Sequence, residues 1–173
     1  MSLADGDYRQ VEAKAVETIL ADDGPGGLRE TGAPAAAAVM AADPALAAFL
    51  GQDDFPAILI RVTAKRELPS TPAYSIVKIF TLAAVVLDRG MDRPAVEDSV
   101  RRIAARLEQL LREQTATDKQ FLGLPDLIEG SEGVLVCTLA ETVFSATEAG
   151  PDRVLARAQV SAELQVPCAF RFE

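Results

Sequence analysis

The chain has 173 residues, the size of one ordinary domain with its own core. Apolar residues make up 49% of the sequence and charged residues 25%, a composition typical of soluble globular proteins. The formal net charge is −9, which argues against binding to nucleic acid phosphates as the primary activity.

The first predicted element is an amphipathic helix over residues 4–20. Asp5 and Asp7 stand in its first turn, where the helix dipole favours negative charge. The helix is predicted to end at Asp22-Asp23-Gly24-Pro25-Gly26-Gly27, a run that neither a helix nor a strand would cross. The apolar residues at helical spacing are Tyr8, Val11, Ala15, Ile19 and Leu20.

Residues 21–56 are predicted to be irregular apart from one short helix at 44–50. Asp43 is the expected N-cap of that helix, and Pro44 suits its first position. The Ala-rich segment 33–42 is low in complexity, and its sequence fits either a helical turn or a loosely packed strap.

Residues 57–87 predict a β-hairpin. In its second strand, residues 73–87, both alternating sets of positions are mostly apolar. A strand with one solvent-exposed face would alternate between apolar and polar residues, so this strand is predicted to lie inside the sheet with both faces covered. A buried helix fits the same length, but the β-branched and aromatic content favours a strand. A polar loop at 66–72, which contains two prolines, joins it to the preceding strand.

Residues 94–114 form the clearest predicted helix. Counted from Val96, its apolar residues fall at spacings of 0, 4, 7, 8, 11, 14 and 15, which places them in one stripe on one side. Pro94 suits the first turn, and acid–arginine pairs four residues apart support the helix. The stripe is predicted to lie on the sheet. The pairs are Glu97–Arg101, Asp98–Arg102 and Glu108–Arg112.

Residues 115–132 predict a long loop and residues 133–166 a second hairpin. Residues 154–166 alternate between apolar and polar, which predicts a strand with one face on the core and the other in water or against a partner. The loop contains apolar side chains, and we expect it to dock on its own domain or on a neighbour.

The predicted order is helix, short helix, strand, strand, helix, strand, strand in a single domain over residues 1–173. This order is typical of the α+β class, in which runs of strands surround the helices that cover one sheet. We therefore expect a largely antiparallel sheet of four to five strands with two main helices packed on it.

No residue pattern predicts a catalytic, cofactor or metal site. The chain has no histidine, which removes the usual general base, the common metal ligand and any Ser–His triad. The glycine-rich run 24–27 follows a helix rather than a strand, which does not favour a phosphate-binding loop. The acid pairs 22–23 and 53–54 are compatible with a divalent ion or with acid–base catalysis. Their turn-like sequence favours bonds to their own backbone instead.

Cys137 and Cys168 are predicted to be free thiols. If the second hairpin closes near residue 149, Cys137 faces a residue near 162 and lies about 20 Å from Cys168, at roughly 3.3 Å per residue. Two cysteines without a targeting segment favour a reducing compartment. The apolar run 73–87 is too short to span a bilayer.

Acidic charge is concentrated in residues 1–60, which contain ten acids and three bases. The simpler interpretation is that these acids begin helices and stand in loops. The alternative is an acidic surface that faces a basic partner, or that lines a passage where nucleic acid must not bind.

The order of elements resembles the tail terminator family of long-tailed bacteriophages and prophages, also described as tail-completion or minor tail protein U-like proteins. The resemblance implies a small non-catalytic protein that forms a ring, usually a hexamer. Such a ring caps the tail tube, ends its polymerisation and joins the tube protein to the head-side connector protein. It also implies location in the virion tail, and in the bacterial cytoplasm during assembly. The similarity covers residues 8–166 and is carried by the opening helix, the Asp43–Leu50 turn, the Phe55–Ile60 and Tyr74–Leu87 strands, the Pro94–Glu113 helix and the final hairpin.

In such a ring, one surface of each subunit contacts a different surface of the next copy. Two interpretations from other classes stay open. One is a small non-catalytic α+β domain that binds a ligand or peptide between helix and sheet, and the other is an enzyme that uses carboxylates alone. A ring subunit forms a large oligomer, whereas a ligand-binding domain contains a well-formed apolar pocket. The candidate subunit-interface residues are Phe121, Leu124 and Leu127 in the long loop, and Arg157, Gln159 and Glu163 on the last strand.

Overall fold

The computed structural model describes residues 6–70, 75–114 and 136–169. They form an α+β fold in which two long helices lie against a five-stranded mixed sheet, as predicted. The strands are ordered β1-β2-β3-β5-β4, and all neighbours are antiparallel except β1 and β2. The elements are α1 (Gly6–Leu20), β1 (Ala38–Ala41), two 3-10 helices (Pro44–Phe49 and Gln52–Asp54), β2 (Ala57–Ser70), β3 (Ser75–Gly90), α2 (Arg93–Glu113), β4 (Val136–Glu148) and β5 (Val154–Ala169).

The strand predicted to lie inside the sheet is β3, and it occupies the centre. β5 pairs with β3 over residues 75–90, and β2 pairs with it over residues 75–87. The side chains from Leu82 to Leu87 are buried on both faces of the sheet. Both faces of β3 are covered, which explains why both alternating sets of its positions are mostly apolar.

The apolar stripe of α2 lies on the sheet, as predicted. The helix begins at Arg93 and ends at Glu113, within one residue of the predicted bounds, and Pro94 stands in its first turn. All seven residues of the stripe are buried, and α2 contacts β3, β4 and β5. The stripe is Val96, Val100, Ile103, Ala104, Leu107, Leu110 and Leu111.

The predicted helix at 4–20 is confirmed as α1 within the described residues, and it packs on β1 and β2. Two of its five apolar residues, Tyr8 and Leu20, are each 45% exposed. The Tyr8 and Phe80 rings are still nearly perpendicular and in contact, with 6.3 Å between the centroids. The fully buried residues of the helix stripe are Val11, Ala15 and Ile19.

The Ala-rich segment contains a strand that we did not predict. Ala38–Ala41 forms β1 and pairs in parallel with β2, with Ala38 beside Ala57. The prediction that residues 21–56 are irregular outside the short helix is wrong at this point, and the element order gains one strand. Four residues are too few to show a strand period, and their partner strand is remote in sequence.

The predicted short helix at 44–50 is confirmed as a 3-10 helix, Pro44–Phe49. Asp43 is its N-cap, and the Asp43 side chain accepts a hydrogen bond from the Ala45 amide at 2.9 Å. This segment covers one end of the sheet face that points away from the helices. A small core forms there, in which Leu59, Val85 and Leu87 pack against Met40, Ala42, Ala47, Phe55 and Leu155.

The second hairpin is confirmed as β4 and β5, and β5 extends three residues beyond the predicted end. The even-numbered side chains of β5 from Ala156 to Cys168 are buried, and the odd-numbered ones are partly exposed. We call the side of the sheet that carries the odd-numbered residues of β5 the outer face.

The predicted register of this hairpin is wrong by two residues. Cys137 faces Leu164 rather than a residue near 162. The turn is centred later than expected, which alone would place Cys137 opposite Gln165, and a bulge at Ala140 brings it back by one residue. Cys137 and Cys168 are nevertheless not joined by a disulfide, as predicted, and both are buried.

Candidate functional site

The polar residues of β5 lie in one row on the outer face. Arg157, Gln159 and Glu163 are all partly exposed there. A guanidinium nitrogen of Arg157 donates to Gln159 Oε1 at 2.7 Å, and Arg66 of β2 donates to Glu163 Oε1 at 3.1 Å. Their predicted role in a subunit interface stays a prediction. The other three predicted contact residues, Phe121, Leu124 and Leu127, lie outside the described residues.

β4 forms one edge of the described sheet, beside this polar row. Val136 faces Gln165 and Val143 faces Gln159 across the β4–β5 pair, so both valines lie on the outer face. They are 40% and 52% exposed. An edge strand also leaves a row of backbone N–H and C=O groups without ladder partners. The outer face near β4 is therefore a mixed apolar and polar surface next to an edge of the described sheet.

A cavity of about 200 Å³ lies between the first turns of α2 and the turn end of β4 and β5. Ala146 and Ala156, which face each other across the two strands, contribute small side chains to its lining. Phe144, which is 48% exposed, lies to one side. Because only methyl groups project from this alanine pair, helix and sheet do not close at this end. Sequence reasoning missed the cavity, since its two walls are remote in sequence.

Two arginines of α2, Arg93 and Arg101, line this cavity. Arg157 of β5 also borders it, but its side chain lies on the outer face and bonds Gln159 there. Arg93 Nε is 2.7 Å from Glu97 Oε1. Glu97 therefore pairs with Arg93, one turn earlier in the helix, rather than with the predicted partner, Arg101. The guanidinium carbon of Arg101 lies 6.0 Å from the centre of the Phe144 ring, a cation–π distance. The other two predicted pairs of α2 form at 3.0 and 3.5 Å and are Asp98–Arg102 and Glu108–Arg112.

The Asp22 side chain bonds the backbone of the turn that follows it, in line with its turn-like sequence, and also binds an arginine. Its Oδ2 accepts from the Leu28 amide at 2.8 Å. Arg106 of α2 donates to both carboxylate oxygens, at 3.0 and 2.5 Å. The hydrogen bond to Asp22 raises the pKa of Arg106. Asp22 therefore ties the chain after α1 to the middle of α2, a contact that the sequence does not reveal.

Two amides of the glycine-rich run donate to acceptors in the run or just after it. The Gly26 amide donates to Glu30 Oε2 at 2.9 Å, and the Gly27 amide donates to the Gly24 carbonyl at 2.9 Å. A Cβ atom on Gly27 would stand 2.3 Å from the Asp22 carbonyl oxygen, so this position requires glycine for close approach. These bonds leave the run without the convergent free amides that a phosphate-binding loop needs.

The acids of residues 1–60 favour the simpler of the two interpretations. Asp54 Oδ2 accepts from the Gly51 amide at 2.6 Å, and Glu12 Oε1 accepts from the Val62 amide at 2.9 Å. No group of three or more potential metal ligands occurs among the described residues. The acids with a backbone or ion-pair partner are Glu12, Glu17, Asp22, Glu30, Asp43 and Asp54.

Cys137 is buried between α2 and the sheet, and burial raises the pKa of its thiol to about 12. The thiolate is the nucleophilic form of cysteine, so this residue is unreactive at neutral pH. Within residues 6–70, 75–114 and 136–169, no helix is long and apolar enough to cross a membrane. No protein-family model and no curated protein sequence matches this chain.

Proposed function

We propose that this protein is a non-catalytic structural subunit of a bacteriophage or prophage tail, of the tail terminator kind. It assembles into a ring, caps the tail tube and joins it to the head-side connector. In this role the protein resides in the virion tail, and in the bacterial cytoplasm before assembly. The proposal begins from the order of elements along the sequence.

One observation supports it, namely two different exposed apolar surfaces near opposite edges of the sheet. One is the β4 edge with Val136 and Val143 on the outer face. The other is the 3-10 helix over the β1–β3 side, where Leu46 and Phe49 are 48% and 83% exposed. Residues three apart in a 3-10 helix point to the same side. A ring closes through such unlike surfaces, since each copy presents one to its neighbour and receives the other.

The test is the oligomeric state of the purified protein, alone and with tail tube protein. We expect a closed ring by light scattering coupled to gel filtration and by negative-stain microscopy. Phe49→Ser and Val143→Ser should each reduce assembly and leave the circular dichroism spectrum unchanged. Leu20→Ser is the matched control, because Leu20 is also apolar and 45% exposed but lies on α1.

Two results contradict the proposal. One is a monomer at every concentration, with and without tube protein. The other is a loss of assembly in Leu20→Ser as large as in Phe49→Ser and Val143→Ser, because that result would show that assembly does not depend on the two proposed surfaces.

A further inference from the structure

We draw no further inference here: the strongest candidate, the cavity between the first turns of α2 and the turn end of β4 and β5, has one arginine paired with Glu97 and one exposed arginine beside the aliphatic groups of its lining, and nothing in the structure shows what covers it.

Discussion

The Asp22 side chain is a charged group with only 7% of its surface exposed. A buried charge is costly unless it is paired and hydrogen-bonded, and this carboxylate accepts from Arg106 and from the Leu28 amide. Because Arg106 lies on α2, the pair joins two segments that are 84 residues apart in sequence. Loss of one partner leaves the other without its compensation, which makes the pair a sensitive point of the fold.

Asp22→Asn should lower the free energy of unfolding by about 2–3 kcal/mol. This is below the range for a fully buried pair, about 3–5 kcal/mol, because Arg106 keeps 28% of its side chain exposed. Urea denaturation measures the change. Asp23→Asn, at the adjacent exposed position, is the control and should change stability by less than about 0.5 kcal/mol. Equal effects of the two substitutions would contradict the structural role of Asp22.

We expect the buried thiol of Cys137 to make the protein less stable in alkaline solution. Burial raises its pKa from the ordinary value of 9.0 to about 12, so above pH 9 the unfolded chain ionises while the folded one stays neutral. The unfolded state therefore gains stability between these two pH values. From about pH 8 to about pH 10, this group should lower the free energy of unfolding by about 1.4 kcal/mol. Below that window it should have no effect on the pH dependence.

The comparison is urea denaturation of the wild type and of Cys137→Ala at these two pH values. The variant lacks this thiol and should lose about 1.4 kcal/mol less than the wild type over the interval. Identical losses in the two proteins would show that the Cys137 thiol does not titrate differently on unfolding.

Among the contacts between elements, the one between α1 and β2 depends on an irregularity in the sheet. The pairing of β2 with β3 shifts register between Val62 and Ala64, which leaves Thr63 as an extra residue. At this bulge the Val62 amide donates to Glu12 Oε1 of α1 at 2.9 Å. The helix therefore supplies an acceptor to a backbone group beside the interruption of the ladder.

Glu12→Ala should destabilise the protein by about 1–2 kcal/mol, because it leaves the Val62 amide unsatisfied in a partly buried position. Glu12→Gln is the matched variant, since its amide oxygen still accepts the bond, and it should lose less than half as much. Thermal unfolding of the three proteins gives the order. If both variants are equally stable, the hydrogen bond is not the cause.

The elements that the sequence predicted best are those whose pattern is complete within one segment. The stripe of α2 and the alternation of β5 arise from one helix or strand on one core, so their periods appear in the residues themselves. β1 forms because it pairs with β2, which is remote in sequence, and the bulge at Ala140 is a local change of register. Neither feature produces a periodic pattern in the sequence. The cavity beside α2 likewise needs Ala146 and Ala156 from another part of the chain.

At the scale of the whole molecule, the net charge of −9 sets how copies approach one another. Like-charged subunits repel, and salt screens this repulsion. An increase from about 0.1 M to about 1 M salt shortens the screening length from about 10 Å to about 3 Å. The proposed contacts use exposed apolar residues, so we expect assembly to increase with salt. Gel filtration at the two salt concentrations measures it, and weaker assembly at high salt would indicate contacts made by ion pairs instead.

The position of β3 between two long neighbours has a consequence for deuterium exchange. Amides in its buried half, from Leu82 to Leu87, have strands on both sides and lose their protons only when the entire domain opens. β1 is four residues long, and the side chain of Arg29 reaches the Ala36 and Ala37 carbonyls just before it. Because β1 is short and lies at one end of the strand order, it can detach while the rest of the sheet stays closed, so the amides of β1 should exchange far sooner than those of β3. One exchange time course thus yields both the global opening free energy, from β3, and the cost of releasing the sheet margin, from β1.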